Sequence, residues 1–223
     1  MISLKRAAKL NQKKYREVER LFLAEGATLI HEARESPRQV FETPEEIRRI
    51  SALKTSAAPV GVFPFLDVSA RDLVASADRI VLLHGVQDPG NVGTIIRSAH
   101  AFEAGVALST GCADLYNPKT VRATMGSIFH APVTRELNSI QFLGLAKAAG
   151  FTTVAAMPEA GDTLRVLPSG KAVLVVGAEG SGLPDEVLDA CERRVTIPSQ
   201  AASLNAAIAA SILLYDAYSR VLP

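Results

Sequence analysis

The chain has 223 residues, 24 Lys and Arg against 23 Asp and Glu, 48% hydrophobic residues, no Trp and two Cys. That length holds one large domain or a medium domain with a small companion. The apolar fraction excludes a disordered chain, and two cysteines outside any C-x-x-C pair exclude a disulfide framework or a cysteine-rich zinc site.

The N-terminus, MISLKRAAKL, has no apolar core of a secretory signal, so a reducing cytoplasm is the expected compartment. The longest apolar stretch, Ala206–Leu214, is shorter than the roughly 20 residues needed to cross a bilayer and reads as a buried helix. The formal charge of +1 argues against general adhesion to polyanions, but it is unevenly distributed. Residues 1–60 carry a net of +4 and the remainder −3, with Lys5, Arg6, Lys9, Lys13, Lys14 and Arg16 crowded near the start. A basic segment ahead of a neutral or acidic body suits a nucleic-acid binder, and equally a solvated helix face.

Residues 4–34 read as helical, with Leu21, Leu23, Ala24, Ala27, Leu29 and Ile30 crowding one side and Gly26 as a break. Gln39–Glu42 reads as a short strand. Thr43-Pro44-Glu45-Glu46 is a helix start, with Thr43 as cap and Pro44 in the first turn. Ala57–Phe65 reads as a strand and turn, and Asp67–Asp78 as a linker or short helix. Strands are then predicted at Ile80–His84, Val106–Leu108, Phe151–Ala155, Ala172–Val176 and Arg194–Ile197. Helices are predicted at Thr94–Glu103, Pro118–Ile128, Ser139–Ala149, Pro184–Cys191 and Ser203–Arg220. Short apolar strands alternating with helices predict an α/β fold whose mostly parallel sheet is covered on both faces, with ligands beyond the carboxyl ends of the strands.

Three polar, turn-forming junctions lie at strand ends: His84–Gly93, Gly177–Pro184 and Ile197–Asn205. Glycine and proline punctuate any strand-to-helix turn, so one such junction alone says little. The second junction lacks the third glycine of a dinucleotide fingerprint, and no phosphate-binding loop ending in Gly-Lys-Ser/Thr occurs. An NAD-type enzyme therefore ranks last.

Taken together, the motifs resemble the SpoU/TrmH family of RNA 2′-O-ribose methyltransferases, within the SPOUT superfamily. Asp88–Ala99 is similar to the family's first motif, Val176–Leu183 to its second, and Ile197-Pro198 with Ser203–Ala207 to its third. Asn117–Phe129 resembles the stretch that leads to the middle strands. Lys13–Arg16 and Leu21–Gly26 resemble a small substrate-binding domain related to a ribosomal-protein (L30e-like) α+β fold, here in shortened form. The resemblance implies a basic RNA-binding domain over residues 1–72 and a methyltransferase domain with a C-terminal trefoil knot over residues 73–223. It also implies S-adenosyl-L-methionine (AdoMet) as cofactor, a homodimer, and a structured RNA substrate, with rRNA favoured over tRNA and a tRNA 2′-O-methyltransferase as the alternative.

Methyl transfer to a ribose hydroxyl is an in-line displacement that must align the two reactants and assist loss of the hydroxyl proton. The resemblance assigns Asn91, Arg97, Glu179, Ser203 and Asn205 to catalysis. Gly177, Gly180 and Gly182 allow close backbone approach to the cofactor, with Ile197, Leu204 and Asn205 completing its pocket. Arg97 is the activator implied for the 2′-hydroxyl. A guanidinium, with its pKa above about 12, suits stabilising a developing alkoxide or holding a phosphate better than acting as a base. Lys5, Arg6, Lys9, Lys13, Lys14 and Arg16 are the expected RNA-binding cations. His31, His84, His100 and His130 lack metal-ligand spacing, so no metal is expected; His84 reads as a strand-end core residue. The loop between Pro198 and Ser203 is about two residues shorter than common in the family. It motivates a second reading, a non-catalytic RNA-binding or ribosome-assembly factor on the same fold.

Overall fold

A computed structural model of the chain describes residues 2–33, 36–52 and 58–220. The N-terminal segment is not one helical stretch. It forms α1 (Leu4–Lys9), α2 (Lys13–Glu19), strand β1 (Leu21–Glu25) and α3 (Ala27–His31). The last residue of the expected helix, Arg34, lies outside the described residues. Ser3 caps α1 by accepting from Arg6 N, and Arg20, left-handed at φ 54°, ends α2. The chain then continues as β1 because Leu-Phe-Leu-Ala is buried on both faces. Phe22 and Ala24 enter the main core, while Leu21 and Leu23 face a smaller cluster with Ala7, Leu10, Ile50 and Val62. A strand buried on both sides loses the period-2 alternation that marks a half-buried strand.

β2 (Gln39–Phe41), α4 (Pro44–Ile50) and β3 (Val60–Pro64) complete this unit as an antiparallel sheet ordered β1-β3-β2. Ala57, where the third strand was expected to begin, is outside the described residues. α4 starts as the sequence predicts: Glu46 N donates to Thr43 Oγ1 and Thr43 N donates back to Glu46 Oε2, a reciprocal capping box.

The larger unit runs α5 (Ala70–Ser76), β4 (Arg79–His84), α6 (Pro89–Ala101), β5 (Gly105–Ser109), α7 (Pro118–Ala123) and β6 (Val133–Leu137). It continues through α8 (Ser139–Ala148), β7 (Thr152–Met157), β8 (Ala172–Gly177), α9 (Asp185–Asp189), β9 (Arg193–Thr196) and α10 (Ala206–Ser219). Short 3₁₀ turns occupy Ser127–Phe129 and Leu164–Val166. The residue 72/73 boundary expected between domains falls inside α5, whose Leu73 and Val74 pack with the larger sheet.

Six parallel strands lie in the order β6-β5-β4-β8-β7-β9, flanked by helices, so the α/β architecture is as predicted. Alternate residues feed two apolar layers. Val81, Leu83, Leu174 and Val176 pack under α6 and α10, and Ile80, Leu82, Val173 and Val175 under α5 and α8. The order reverses between β4 and β8, which leaves a crevice beyond their carboxyl ends.

Three differences from the sequence reading have local causes. β6 was not predicted: Val-Thr-Arg-Glu-Leu is an edge strand whose charges blunt its apolar signal. α7 stops at Ala123 rather than reaching Ile128, because Met125 (φ 48°) and Gly126 (φ 95°) turn left-handed. α10 begins at Ala206 rather than Ser203, because Asn205 Oδ1 accepts from Ala207 N and Ile208 N and caps it.

The two units share one core. Phe22 packs against Tyr116 at 4.8 Å and Phe63 against Phe129 at 4.9 Å between ring centroids. Tyr116 stacks on Phe65 at 3.9 Å and donates its hydroxyl to Asp67 Oδ1 at 2.7 Å, while accepting from Leu66 N and Asp67 N. Burial, reinforced by the Asp67 carboxylate, pushes that hydroxyl's pKa well above the usual tyrosine range. Arg135 lies over Phe65 and Tyr116 and pairs with Glu17 (2.8 Å) and Asp67 (3.3 Å).

Candidate active site at the carboxyl edge of the sheet

The first and third motifs meet the second at helix starts. Asp88 caps α6 by accepting from Asn91 N at 2.9 Å, and Lys119 Nζ donates to its other oxygen at 3.1 Å. These contacts, the Asn91 N–H first and the Lys119 ammonium next, hold the Asp88 carboxyl below its ordinary pKa. The cap turns the Asn91 side chain toward the β8 loop. There Glu179 Oε1 accepts from Asn91 Nδ2 (2.7 Å), Asn205 Nδ2 (2.6 Å) and Ala206 N (3.3 Å). Asn205 Nδ2 also lies 3.1 Å from Asn91 Oδ1. Asn91 and Asn205, 114 positions apart in sequence, thus converge on one carboxylate oxygen.

Beside this cluster lies a cavity of about 360 Å³, within the roughly 300–1,000 Å³ range of small-molecule sites. Its walls come from the loops after β7, β8 and β9: Met157 and Pro158, Gly177–Gly182, and Ile197 with Ser203 and Leu204. The hairpin of the β8 loop is closed by Gly182 N donating to Ala178 O at 2.9 Å, and a side chain at Gly177 would run into the Gly182 carbonyl. Only glycine lets that loop fold back tightly enough to form the wall. Neither Lys nor Arg lines the cavity, and Glu179 is its one charged residue among those described. A surface of backbone amides, carbonyls and apolar side chains without cations suits a nucleoside lacking phosphates, which is the chemistry of an adenosyl cofactor.

A second, more polar cavity of about 570 Å³ lies on the other side of the β8 loop, at the β4/β8 crevice, and shares Ala178–Gly182 with the first. His84, expected in the core, instead lines it half-buried, with Nδ1 2.8 Å from Ser139 Oγ.

The expected site residues divide accordingly. Asn91, Glu179 and Asn205 are together. Gly177, Gly180, Gly182, Ile197 and Leu204 line the smaller cavity, whereas the Asn205 amide turns away from it toward Glu179. Ser203 lines the cavity but has no hydrogen bond among the described residues. Arg97 is exposed on α6, about 9 Å further along the helix than Asn91 at 1.5 Å per residue, and among the described residues has no hydrogen bond or ion pair with Ser203 or the cluster. Met157 and Pro158 were missed because no glycine cluster marks the end of β7; the rule that ligands sit beyond strand ends points to them.

The basic segment is divided too. Arg16, expected on RNA, is 3% exposed, pairs with Asp114 at 2.5 Å and donates to Leu10 O at 2.7 Å. It is therefore a buried strut between the units and not a phosphate contact. Lys13 pairs with Glu136 at 2.7 Å, and Arg6 with Glu19. Lys5 and Lys9 remain exposed and, with Arg49 from α4, wall a surface groove of about 420 Å³. Lys14 is exposed beside the Tyr15 ring, 4.8 Å from its centroid. Arg49 lies outside the basic run in sequence and only the packing of α4 on α1 reveals it.

Among the described residues no helix is long and apolar enough to cross a membrane, and no group of three or more His, Cys, Asp or Glu is placed to hold a metal.

Comparison with known proteins agrees with this geometry. A 23S rRNA (guanosine(2553)-2'-O)-methyltransferase RlmP from Bacillus subtilis is 35% identical over 93% of this chain and 92% of its own length. A 23S rRNA (uridine(2479)-2'-O)-methyltransferase from Streptomyces viridochromogenes is 34% identical, over 72% of this chain and 60% of its own. The crystal structure of an AdoMet-bound rRNA methyltransferase from Sinorhizobium meliloti superimposes with a TM-score of 0.90 at 31% identity, covering 99% of this chain and 95% of that one. The model of an MRM3-like substrate binding domain matches residues 3–73. With the model of the SpoU rRNA Methylase family matching residues 78–215, the chain belongs to that family.

Proposed function

We propose that the protein transfers a methyl group from AdoMet to a ribose 2′-hydroxyl of 23S-type rRNA. The observation that carries this reading is the convergence of Asn91, Glu179 and Asn205 at the wall of a cation-free, nucleoside-sized cavity. The bound cofactor supplies an electrophilic methyl on a sulfonium. Gly177, Gly180, Gly182, Ile197 and Leu204 hold its adenosyl part against backbone partners. Glu179, fixed by two amides and a main-chain N–H, orders the neighbouring loops. Ser203, with no competing bond, is free to orient the ribose, and Arg97 stabilises the developing alkoxide.

Arg97 lies away from the cluster of its own chain, so this reading includes a homodimer in which α6 reaches the partner. Ile208 (53% exposed) and Tyr215 (58%), seven residues apart on α10, form an apolar stripe beside α6 that a second protomer would cover. The C-terminal trefoil knot belongs to the same reading, since three loops of one chain wall the cavity. A small basic domain over residues 1–72 delivers RNA to a methyltransferase domain over 73–223, with Lys5, Lys9 and Lys14 as its phosphate contacts. Lys13 and Arg6 contribute charge while tied to Glu136 and Glu19. The free thiols of Cys112 and Cys191, pushed up by burial (Cys191 to about 11), fit a reducing cytoplasm.

Incubating the protein with labelled AdoMet and either rRNA or tRNA tests the reading. Label on rRNA is expected. Label on tRNA alone would change the substrate, and no label together with no AdoMet binding by calorimetry would leave a non-catalytic RNA-binding factor.

A further inference from the structure

Among the described residues, four arginines carry a buried nitrogen with no hydrogen-bond partner. Arg16, Arg79 and Arg135 each have another guanidinium nitrogen paired with a carboxylate. Arg122 differs. Its Nη1 is buried, and no atom of its side chain has a hydrogen bond or ion pair among the described residues. A partly buried guanidinium without an anion is costly, and native proteins rarely leave one so. No described residue pairs with it, and the residue as a whole is only partly buried.

The surroundings indicate which anion. Arg122 stands three residues after Lys119 on α7, on the same side of that helix. Lys119 is 60% exposed, and its ammonium reaches Asp88, the cap of α6 that also holds Asn91 N. α7 packs on α6 at Gly93, where a Cβ would lie 2.5 Å from Ala123 Cβ and 2.6 Å from Thr120 O. The basic face of α7 therefore stands one cap away from the Asn91–Glu179–Asn205 cluster. Of these two neighbouring cations only Lys119 reaches a carboxylate, and that carboxylate is already engaged by the helix start.

We propose that Arg122, with Lys119 beside it, binds an RNA backbone phosphate next to the ribose presented to the active site. The proposal rests on the RNA methyltransferase reading above and assigns it a phosphate subsite. The planar fork of Arg122 suits a bidentate phosphate contact, and Lys119 adds a mobile point charge. Phosphate contacts fix the register of a nucleic acid without reading its sequence, so this pair sets which ribose stands at the cluster.

The test uses the full chain with Arg122→Met, Arg122→Lys and Lys119→Ala. Filter binding of a 23S rRNA transcript is measured across salt, beside AdoMet calorimetry, thermal unfolding and sedimentation. For Arg122→Met the expected result is RNA binding about tenfold weaker, with a salt slope lower by about one. AdoMet affinity should be unchanged and Tm unchanged or raised, because an unpaired buried charge has been removed. Arg122→Lys should recover part of the RNA affinity, and Lys119→Ala should reproduce a smaller loss. RNA binding and slope unchanged in Arg122→Met would overturn the proposal. So would a lowered Tm with weaker AdoMet binding, which marks a structural role, or a shift to monomer, which marks a partner carboxylate. If the wild type binds RNA in this way but methylates none, the phosphate site stands and the enzymatic reading fails.

Discussion

The junction between the two units and the carboxyl edge of the large sheet employ the same residue types in opposite ways. At the junction, Arg16 and Tyr116 are buried, Arg135 and Asp67 are partly buried, and each has an ion-pair or hydrogen-bond partner within the chain. At the sheet edge, among the described residues, Arg97 is exposed and unpaired, Lys119 is paired with a helix cap, and Arg122 is unpaired although partly buried. The contrast teaches that net charge in a sequence segment does not identify the phosphate-binding surface. What does is the set of cations left over after the fold has satisfied its own carboxylates.

Breaking the junction should have the largest effect. Asp114→Ala leaves the Arg16 guanidinium buried without its carboxylate and should cost about 3–5 kcal/mol, read as a lower denaturant midpoint. A loss below about 0.5 kcal/mol would show that the Arg16–Asp114 pair does not hold the junction. At the other region, Arg97→Ala should reduce methyl-transfer kcat by about 10²–10³-fold. AdoMet affinity by calorimetry should be unaffected, because Arg97 does not line the cavity; a matching loss of AdoMet binding would move Arg97 into the pocket.

A smaller effect separates the helix cap from both. Asp88→Ala should lower stability by about 0.5–2 kcal/mol at pH 7, the ordinary range for an N-cap. Because the folded-state pKa of Asp88 is depressed, its contribution is complete above the unfolded carboxylate value near about 4 and lost as pH falls through the lower folded value. The difference in Tm between wild type and variant should be flat from neutral pH to about 5 and shrink in stronger acid. A difference that grew in acid would contradict the cap. The smallest effect is expected for Lys5→Ala, Lys9→Ala and Arg49→Ala, which should each lower the salt slope of RNA binding by no more than about one with no change in Tm. Arg16→Ala, by contrast, should change Tm first.

Much of the fold was legible because parallel strands covered on both faces read as unbroken apolar runs, such as Ile80–Leu83 and Ala172–Val176. The polar cluster was legible because Asn91, Glu179 and Asn205 each sit in a turn-rich motif at a strand or helix end. The rest depends on long-range packing. β1 was hidden because its residues serve two cores alternately, and β6 because its Arg135 and Glu136 are edge charges. Arg16 looked like any other cation of the basic run, since its partner Asp114 lies 98 residues away. The loop after β7 lines the cavity with Met157 and Pro158, side chains that carry no chemical signature.

The central claim is that the cluster at the carboxyl edge directs methyl transfer to a ribose oxygen. A 2′-O-methyl group removes the hydroxyl that attacks the adjacent phosphate in alkali, so a methylated site survives alkaline hydrolysis as a dinucleotide. Ribosomal RNA treated with wild-type protein and methyl-labelled AdoMet, then hydrolysed in alkali, should carry its label in alkali-stable dinucleotides, and Arg97→Ala should yield about 10²–10³-fold less in the same time. Label confined to mononucleotides would place the methyl on a base and contradict the account.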